Sequence, residues 1–458
     1  MRILLFIAIF VMGVVADSNI TVTQKDLDSS GWGRYVEKSG KNLYFVGDAQ
    51  YSVDSSTQYT SSLKIIKTDL NQNIVWDRNY SSMEPDFNSI DIVNKIKDTG
   101  KGLVVIGNYQ PNYVVADNFG FIRVFDYNGN EIKNLRIFKM YKNGNFDNIF
   151  IYDIDKTSTG YMAVGSLNDG SLILKLDNDF NELNRAKYIP SEYSSDNDFL
   201  DCISRKIITL NDGYILGTTI QFNSSSNRTS IAMVEKFDSN GTLVWSKKFK
   251  DTNNSYDKSL KNLIYANGRI YAVIDNYYFM DFIAIDAVSG SILQQQTYPG
   301  VHNALYLDNE GFLLYSKDKI IKIDFSFNIF FEDSLDNADY AIYNMQYIAP
   351  NKFVTVGYTP YPQKIDSIEY SLNAPILEAG AVITKKYIDS LSSGWHLIGT
   401  NLKITDLSIF DNCYYVWQFK NGRWLSFSNL FSKKLIDLGF EKLSTLDMGD
   451  GFWVYKIR

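Results

Sequence analysis

A turn followed at once by an apolar run returns seven times along this chain, and that repetition constrains the fold more than any other feature. The clearest copies are residues 40–47, 100–107, 159–165 and 212–217, with weaker ones at 267–273, 310–314 and 351–357. A second element follows each, an apolar run closing on Lys-x-Asp or a relative of it, then a turn and often Trp. Lys67-Thr68-Asp69 precedes Trp76, Lys236-Phe237-Asp238 precedes Trp245, and Asp126, Asp177, Asp286 and Asp324 keep the frame. Continuous runs such as Leu172-Ile173-Leu174 suit a strand buried on both faces, as between stacked sheets. Aromatics at 15%, with 32 Tyr and 29 Phe, favour pleated sheet, on whose faces rings pack well. A period of about 40–60 residues with several short strands per repeat is that of a radial array.

The ends set the count. The seventh unit offers strands near 347–348, 353–356 and 381–387 but no fourth, whereas 20–23 is a strand without a unit. Pairing them would close a ring and hide two sheet edges that otherwise invite aggregation. The expected architecture is therefore all-β, a seven-bladed β-propeller over 17–388 closed by its N-terminal strand, followed by a small, mainly-β, Trp-rich module over 389–458. The units resemble a class of exported bacterial and archaeal propeller repeats, with Asp-Gly-Gly-Tyr-type turns and a Lys-Leu-Asp-x-x-Gly-x-x-x-Trp ending. The best match runs from Asp198 to Trp245, and Ile285-Asp286-Ala287-Val288-Ser289-Gly290 resembles quinoprotein-like propellers. The resemblance implies a fold and fixes no activity, since propellers serve enzymes, binders and scaffolds alike.

Residues 1–16, MRILLFIAIFVMGVVA, carry one Arg, an apolar stretch and small residues at the cleavage positions, the pattern of a secretory signal peptide. The expectation is an exported protein of the periplasm, cell surface or extracellular space, monomeric, with no transmembrane segment after cleavage. Lys+Arg total 45 against 52 Asp+Glu, a net charge of −7. That balance argues against a nucleic-acid partner, which needs a basic stripe.

In such a ring the links between first and second strands and between third and fourth are tight Asn/Gly turns on one face. The remaining links share the other face and include long stretches at 48–60, 108–119, 218–229 and 358–378. Long loops on a rigid scaffold are where binding resides. Just before the first strand of a blade, an Asp recurs beside an aromatic: Asp86, Asp147, Asp198, Asp257 and Asp339, with Trp32 and His302 in the corresponding places of two other blades. Two readings stand for these carboxylates: turn bonding to backbone N–H groups, or a ring at the channel mouth that captures a cationic ligand.

Familiar chemistry is sparse. Only two His exist, and neither an HExxH nor a paired CxxC motif occurs, which argues against a zinc enzyme. Nucleophile-elbow, Walker and sialidase signatures are missing as well. Paired carboxylates for glycoside chemistry remain open among 52 acidic residues. Asp26, Asp28, Ser30 and Glu37 copy the oxygen spacing of a calcium loop, but strands flank it and Gly33 replaces the usual apolar residue. No cofactor is expected, with calcium as the one alternative. Cys202 and Cys413 are expected as two separately buried thiols.

The last segment holds four of the seven Trp, in the frame Gly394-Trp395-His396-Leu397-Ile398-Gly399, Asn421-Gly422-Arg423-Trp424 and Gly451-Phe452-Trp453. It resembles the small Gly-Trp-x-Leu-Ile-Gly end modules of bacterial surface proteins. Asn421-Gly422 signals a hairpin, and 429–438 a short helix. Core packing is expected for most of these rings, Trp395 and Trp453 included, while Trp424 beside Arg423 is the candidate for an exposed docking or sugar-stacking ring. The functional expectation is a non-enzymatic binder or scaffold that engages a protein or glycan of the cell envelope through its long-link face. The alternative is a carbohydrate-active hydrolase or lyase with paired carboxylates at the channel mouth.

Overall fold

The computed structural model describes residues 20–28, 32–52, 59–81, 89–111, 119–138, 147–194, 198–223, 228–250, 257–276, 279–307, 311–316, 318–334, 341–349, 352–360, 363–372, 388, 394–399, 404–411, 413–420, 423–428, 436, 440–446 and 451–456. Asp86, Asp339 and Ser30 lie outside them, as do 381–387 and all of 429–438 except Ile436.

Among the described residues seven four-stranded meanders follow one another, the first two joined by a parallel bridge from Ser61 to Ile90 into one eight-stranded sheet. Blade 1 comprises Trp32–Ser39, Asn42–Ser52, Tyr59–Asp69 and Ile74–Tyr80, counted outward, and the blades that follow repeat this meander. Their innermost strands are Ser89–Asp98, Ile149–Lys156, Phe199–Leu210, Ser259–Ala266, Asn303–Tyr306 and Ala341–Ala349. Each packs on the innermost strand of the next blade, and that of blade 7 packs on that of blade 1, so the series returns on itself as a closed propeller. Blade 7 takes its outermost strand from Ile20–Asp28, which pairs with Gln363–Leu372. The expected closure by the N-terminal strand is thus what the sheet order shows.

Two expectations need correction. The third strand of blade 7 is Gln363–Leu372, in a stretch read from its prolines as loop, and not 381–387. The long links are also shorter than their sequences suggest. The second strands run on to Ser52, Pro111 and Asn223, and in blade 7 only two residues separate Lys352–Pro360 from the third strand. Tyr, Thr and Gln there extend the ladders beyond the apolar runs.

Burial follows the position of the strand. In blade 3 every residue of Tyr161–Leu167 is buried, whereas the outermost strand Glu182–Tyr188 is largely exposed. Middle strands sandwiched between neighbouring blades gain about 1.5–3 kcal/mol for each Leu, Ile or Phe fully removed from water. The Asp of the Lys-x-Asp frame organises the outer turn. Asp69, Asp126, Asp177, Asp238 and Asp324 each accept the N–H groups two and four residues on, at 2.8–2.9 Å. The residue three on adopts positive φ, whether Gly129 and Gly241 or, at higher conformational cost, Gln72, Phe180 and Phe327.

The chain divides into two compact units, Val22–Tyr370 and one made of Ser371–Arg458 together with Met1–Thr21. The second holds a five-stranded sheet in the order Gly394–Gly399, Gly451–Lys456, Cys413–Lys420, Arg423–Phe427 and Glu441–Lys442. Lys420 faces Arg423 across the ladder, and Asn421 and Gly422 lie outside the described residues. Its core is Ile388, Ile404, Leu407, Phe410, Cys413, Val416, Leu443, Leu446, Phe452 and Val454. Trp453 is 42% exposed, against the expectation of burial, because it alternates with inward-facing Phe452 and Val454. Cys202 and Cys413 are both buried, and no disulfide joins them. Among the described residues no helix is long and apolar enough to cross a membrane.

Candidate functional site

The innermost strands share an irregularity at one level of the ring. In six blades the ladder to the second strand skips one residue: Arg34, Asn94, Tyr152, Arg205, Lys261 and Tyr343. A bulge of this kind re-aims a side chain, and bulges gather beside active and binding sites. The repeated glycines of the sequence lie across from it. Ile151 pairs with Gly165, and a Cβ on Gly165 would sit 1.7 Å from the carbonyl oxygen of Phe150. One on Gly107 would sit 2.3 Å from that of Ile92.

The residue after the glycine ties one blade to the next. Asp48 Oδ1 accepts the Val93 N–H at 3.2 Å, and Asn108 Oδ1 accepts that of Ile151 at 2.7 Å. In blade 4 the tie comes one residue later, with Thr219 Oγ1 accepting the N–H of Leu260 at 3.1 Å. A second tie follows the bulge: Asp153 Oδ2 accepts the Ile207 N–H at 3.1 Å while its other oxygen pairs with Lys95. Burial works to raise the Asp153 carboxyl, but Lys95 and Lys206 outweigh it and hold the group below its ordinary range.

The bulged side chains meet across blade seams. The Arg34 guanidinium lies 4.9 Å from the Tyr343 ring centre and bonds Asp48 Oδ2 at 2.7 Å. Arg205 lies 4.5 Å from the ring centre of Tyr152. Lys261 stands 3.3 Å from Asp275, whose other oxygen is 3.0 Å from His302 Nδ1.

Blades 3 and 4 gather the densest set. Asp201 opens the innermost strand of blade 4, with Oδ1 accepting the Cys202 N–H at 2.7 Å. The same N–H donates to the Asp169 carbonyl at 3.0 Å, which draws the blade 3 turn against this strand. Burial pushes the Asp201 carboxyl up to about 6, whereas the bond from Lys187 holds Asp169 below its usual range. Two carboxyls with oppositely displaced affinities for the proton, beside a guanidinium and a phenol, form a set able to bind polar ligands and to move a proton.

The residues singled out from the sequence do not share one environment. Asp147 is buried and accepts from Asn168 Nδ2 at 2.7 Å, a bond inside its own blade. Asp198 and Asp257 are exposed. Trp32 begins the innermost strand of blade 1, opposite Asp48. His302 joins the bulge ring through Asp275. Asp26 and Asp28 belong to the outermost strand of blade 7, while Glu37 lies in the innermost strand of blade 1 and accepts the Asp98 N–H at 3.2 Å. Among the described residues no three His, Cys, Asp or Glu side chains converge as metal ligands would. Arg423 is exposed and pairs with Glu441 at 2.5 Å, and the Trp424 side chain lies outside the described set. Sequence reading missed the bulge ring and the Asp169–Asp201 pair. The available signal was a polar residue directly after the recurrent glycine, as in Gly47-Asp48, Gly107-Asn108 and Gly165-Ser166.

No protein-family model and no curated protein matches the sequence. Among solved structures, the chain is similar to the Neurospora crassa Pan2 WD40 domain, with TM-score 0.47 and 9% identity over 79% of this chain and 98% of that one. It is similar to the Dos1 propeller, with TM-score 0.42 and 14% identity over 75% and 95%. It is similar also to the periplasmic gluconolactonase of Pseudomonas aeruginosa, with TM-score 0.43 and 10% identity over 66% and 84%.

Proposed function

We propose that this propeller is an exported, non-enzymatic binding protein that engages a protein or glycan of the cell envelope through the face of its longer links. In this reading the C-terminal unit docks it on a surface or partner. The observation that carries it is the bulge repeated at one level in six innermost strands, at Arg34, Asn94, Tyr152, Arg205, Lys261 and Tyr343 around the ring. A rigid closed ring orders such side chains in advance, so binding costs little conformational entropy. Capture from envelope extract by the chain from residue 17, compared with a chain ending at Leu372, tests it. Material retained by both places binding on the propeller. Retention by the longer chain alone assigns it to the C-terminal unit, and retention by neither refutes the proposal.

A second reading, a carbohydrate-active hydrolase or lyase, draws on Asp169 and Asp201, whose proton affinities are displaced in opposite directions. It requires turnover of an envelope glycan that Asp201→Asn abolishes at unchanged Tm. Binding without turnover would reject it.

A further inference from the structure

The guanidinium of Arg205 is half-buried and lies over the Tyr152 ring, yet among the described residues it has no carboxylate within 4.0 Å. Its counterparts are committed, Arg34 to Asp48 and Lys261 to Asp275. It bonds the Tyr152 hydroxyl and feels the charge of Asp201, but with no carboxylate in contact a half-buried guanidinium retains donors suited to a carboxylate from outside. Beside it, Phe150 and Tyr152 stand nearly parallel, 7° apart with centroids 6.2 Å from each other, and both are half-buried. They form an apolar ledge at the seam. Asp201 faces the same ground and is the awkward member, because a bare acidic partner would be repelled by it. A ligand carrying a carboxylate for Arg205 and hydroxyl donors for Asp201 answers both groups.

We propose that the seam of blades 3 and 4 is a subsite for a uronic-acid residue of a glycan, with Arg205 taking the carboxylate, Asp201 accepting from ring hydroxyls, and the Phe150–Tyr152 ledge meeting the pyranose. This rests on the longer-link face being the binding face and names its ligand. The charged groups around the subsite are Lys187 and Asp169 from blade 3 and Asp201 and Arg205 from blade 4. Calorimetric titration of the chain from residue 17 with methyl glucuronide, methyl glucoside, acetate and inorganic phosphate tests it. The glucuronide should saturate, the glucoside should bind at least about tenfold more weakly, and neither anion should match the glucuronide. Arg205→Gln should remove the preference for glucuronide over glucoside, and Asp201→Ala should weaken both sugars, at unchanged Tm. If Arg205→Gln fails to fold, Arg205→Lys keeps the charge without the fork and should lose the same preference. Equal binding of glucoside, equal binding of acetate or phosphate, or an unchanged preference in the Arg205 variant overturns the subsite. So does the absence of any binding, and continued capture of envelope material by the parent chain would then show that the binding face stands without it.

Discussion

At the scale of a residue, Glu235 shows how much a propeller seam tolerates. It lies in the third strand of blade 4 and is 1% exposed, with the Tyr188 hydroxyl from blade 3 donating to Oε1 at 2.8 Å. Ser246 stands directly opposite in the ladder. Burial pushes this carboxyl up to about 7, from an ordinary value of 4.5. A folded pKa above the unfolded one means that the native state holds the proton more tightly. Its contribution is therefore intact below about pH 4.5, declines as pH rises to about 7, and is constant above. Glu235→Gln keeps an acceptor for Tyr188 and removes the charge. It should stabilise the protein above pH 7, by at most on the order of 3 kcal/mol, and leave it unchanged near pH 4. Melting curves from pH 4 to 8 check this. A variant equally stabilised at both ends would mean that volume or bonding, and not ionisation, sets the effect.

At the scale of elements, the repeated glycine has a different use from the one its position suggests. In sequence it ends an apolar run and resembles a boundary. In the fold, Gly165 sits inside the second strand, opposite the bulge, where the neighbouring carbonyl leaves no room for a Cβ. Gly165→Ala should cost about 1–3 kcal/mol through overpacking, whereas alanine at Gly40, which meets no atom within 4 Å, should cost only the strain of its positive φ. Denaturant titration of the two variants separates a steric effect from a turn effect. The strands were legible because continuous apolar runs and Asx turns are local signals. The third strand of blade 7 was not, since Pro360 and Pro362 flank a polar run that becomes a strand only between Lys352–Pro360 and Ile20–Asp28. The bulges were hidden for the same reason: an unpaired residue is defined only against its partner strand. Removing residues 17–28 takes away the strand that covers Gln363–Leu372, and the bare edge should drive self-association visible by light scattering. A truncated chain that stays monomeric, with the parent's Tm, would contradict the closing role.

At the scale of the whole molecule, ring closure and the division into two units make opposite demands on cooperativity. Within Val22–Tyr370 every blade packs on two others, so no blade can unfold without baring the middle strands of its neighbours. The unit that holds Ser371–Arg458 has its own core, in which Phe452 is fully buried and meets Phe410 edge-on at 5.4 Å. Signals of this core were readable as hairpin and strand, but its fillers were misjudged. Four of the seven Trp fall in this segment, yet alternation along Gly451–Lys456 turns Phe452 and Val454 inward and Trp453 out. Two cores predict two calorimetric transitions. Phe452→Ala should lower only the smaller one, by about 3–5 kcal/mol, and Gly165→Ala only the larger. If either substitution moved both transitions together, the two units would share one folding equilibrium, and a chain ending at Leu372 would no longer be a fair report on the propeller alone.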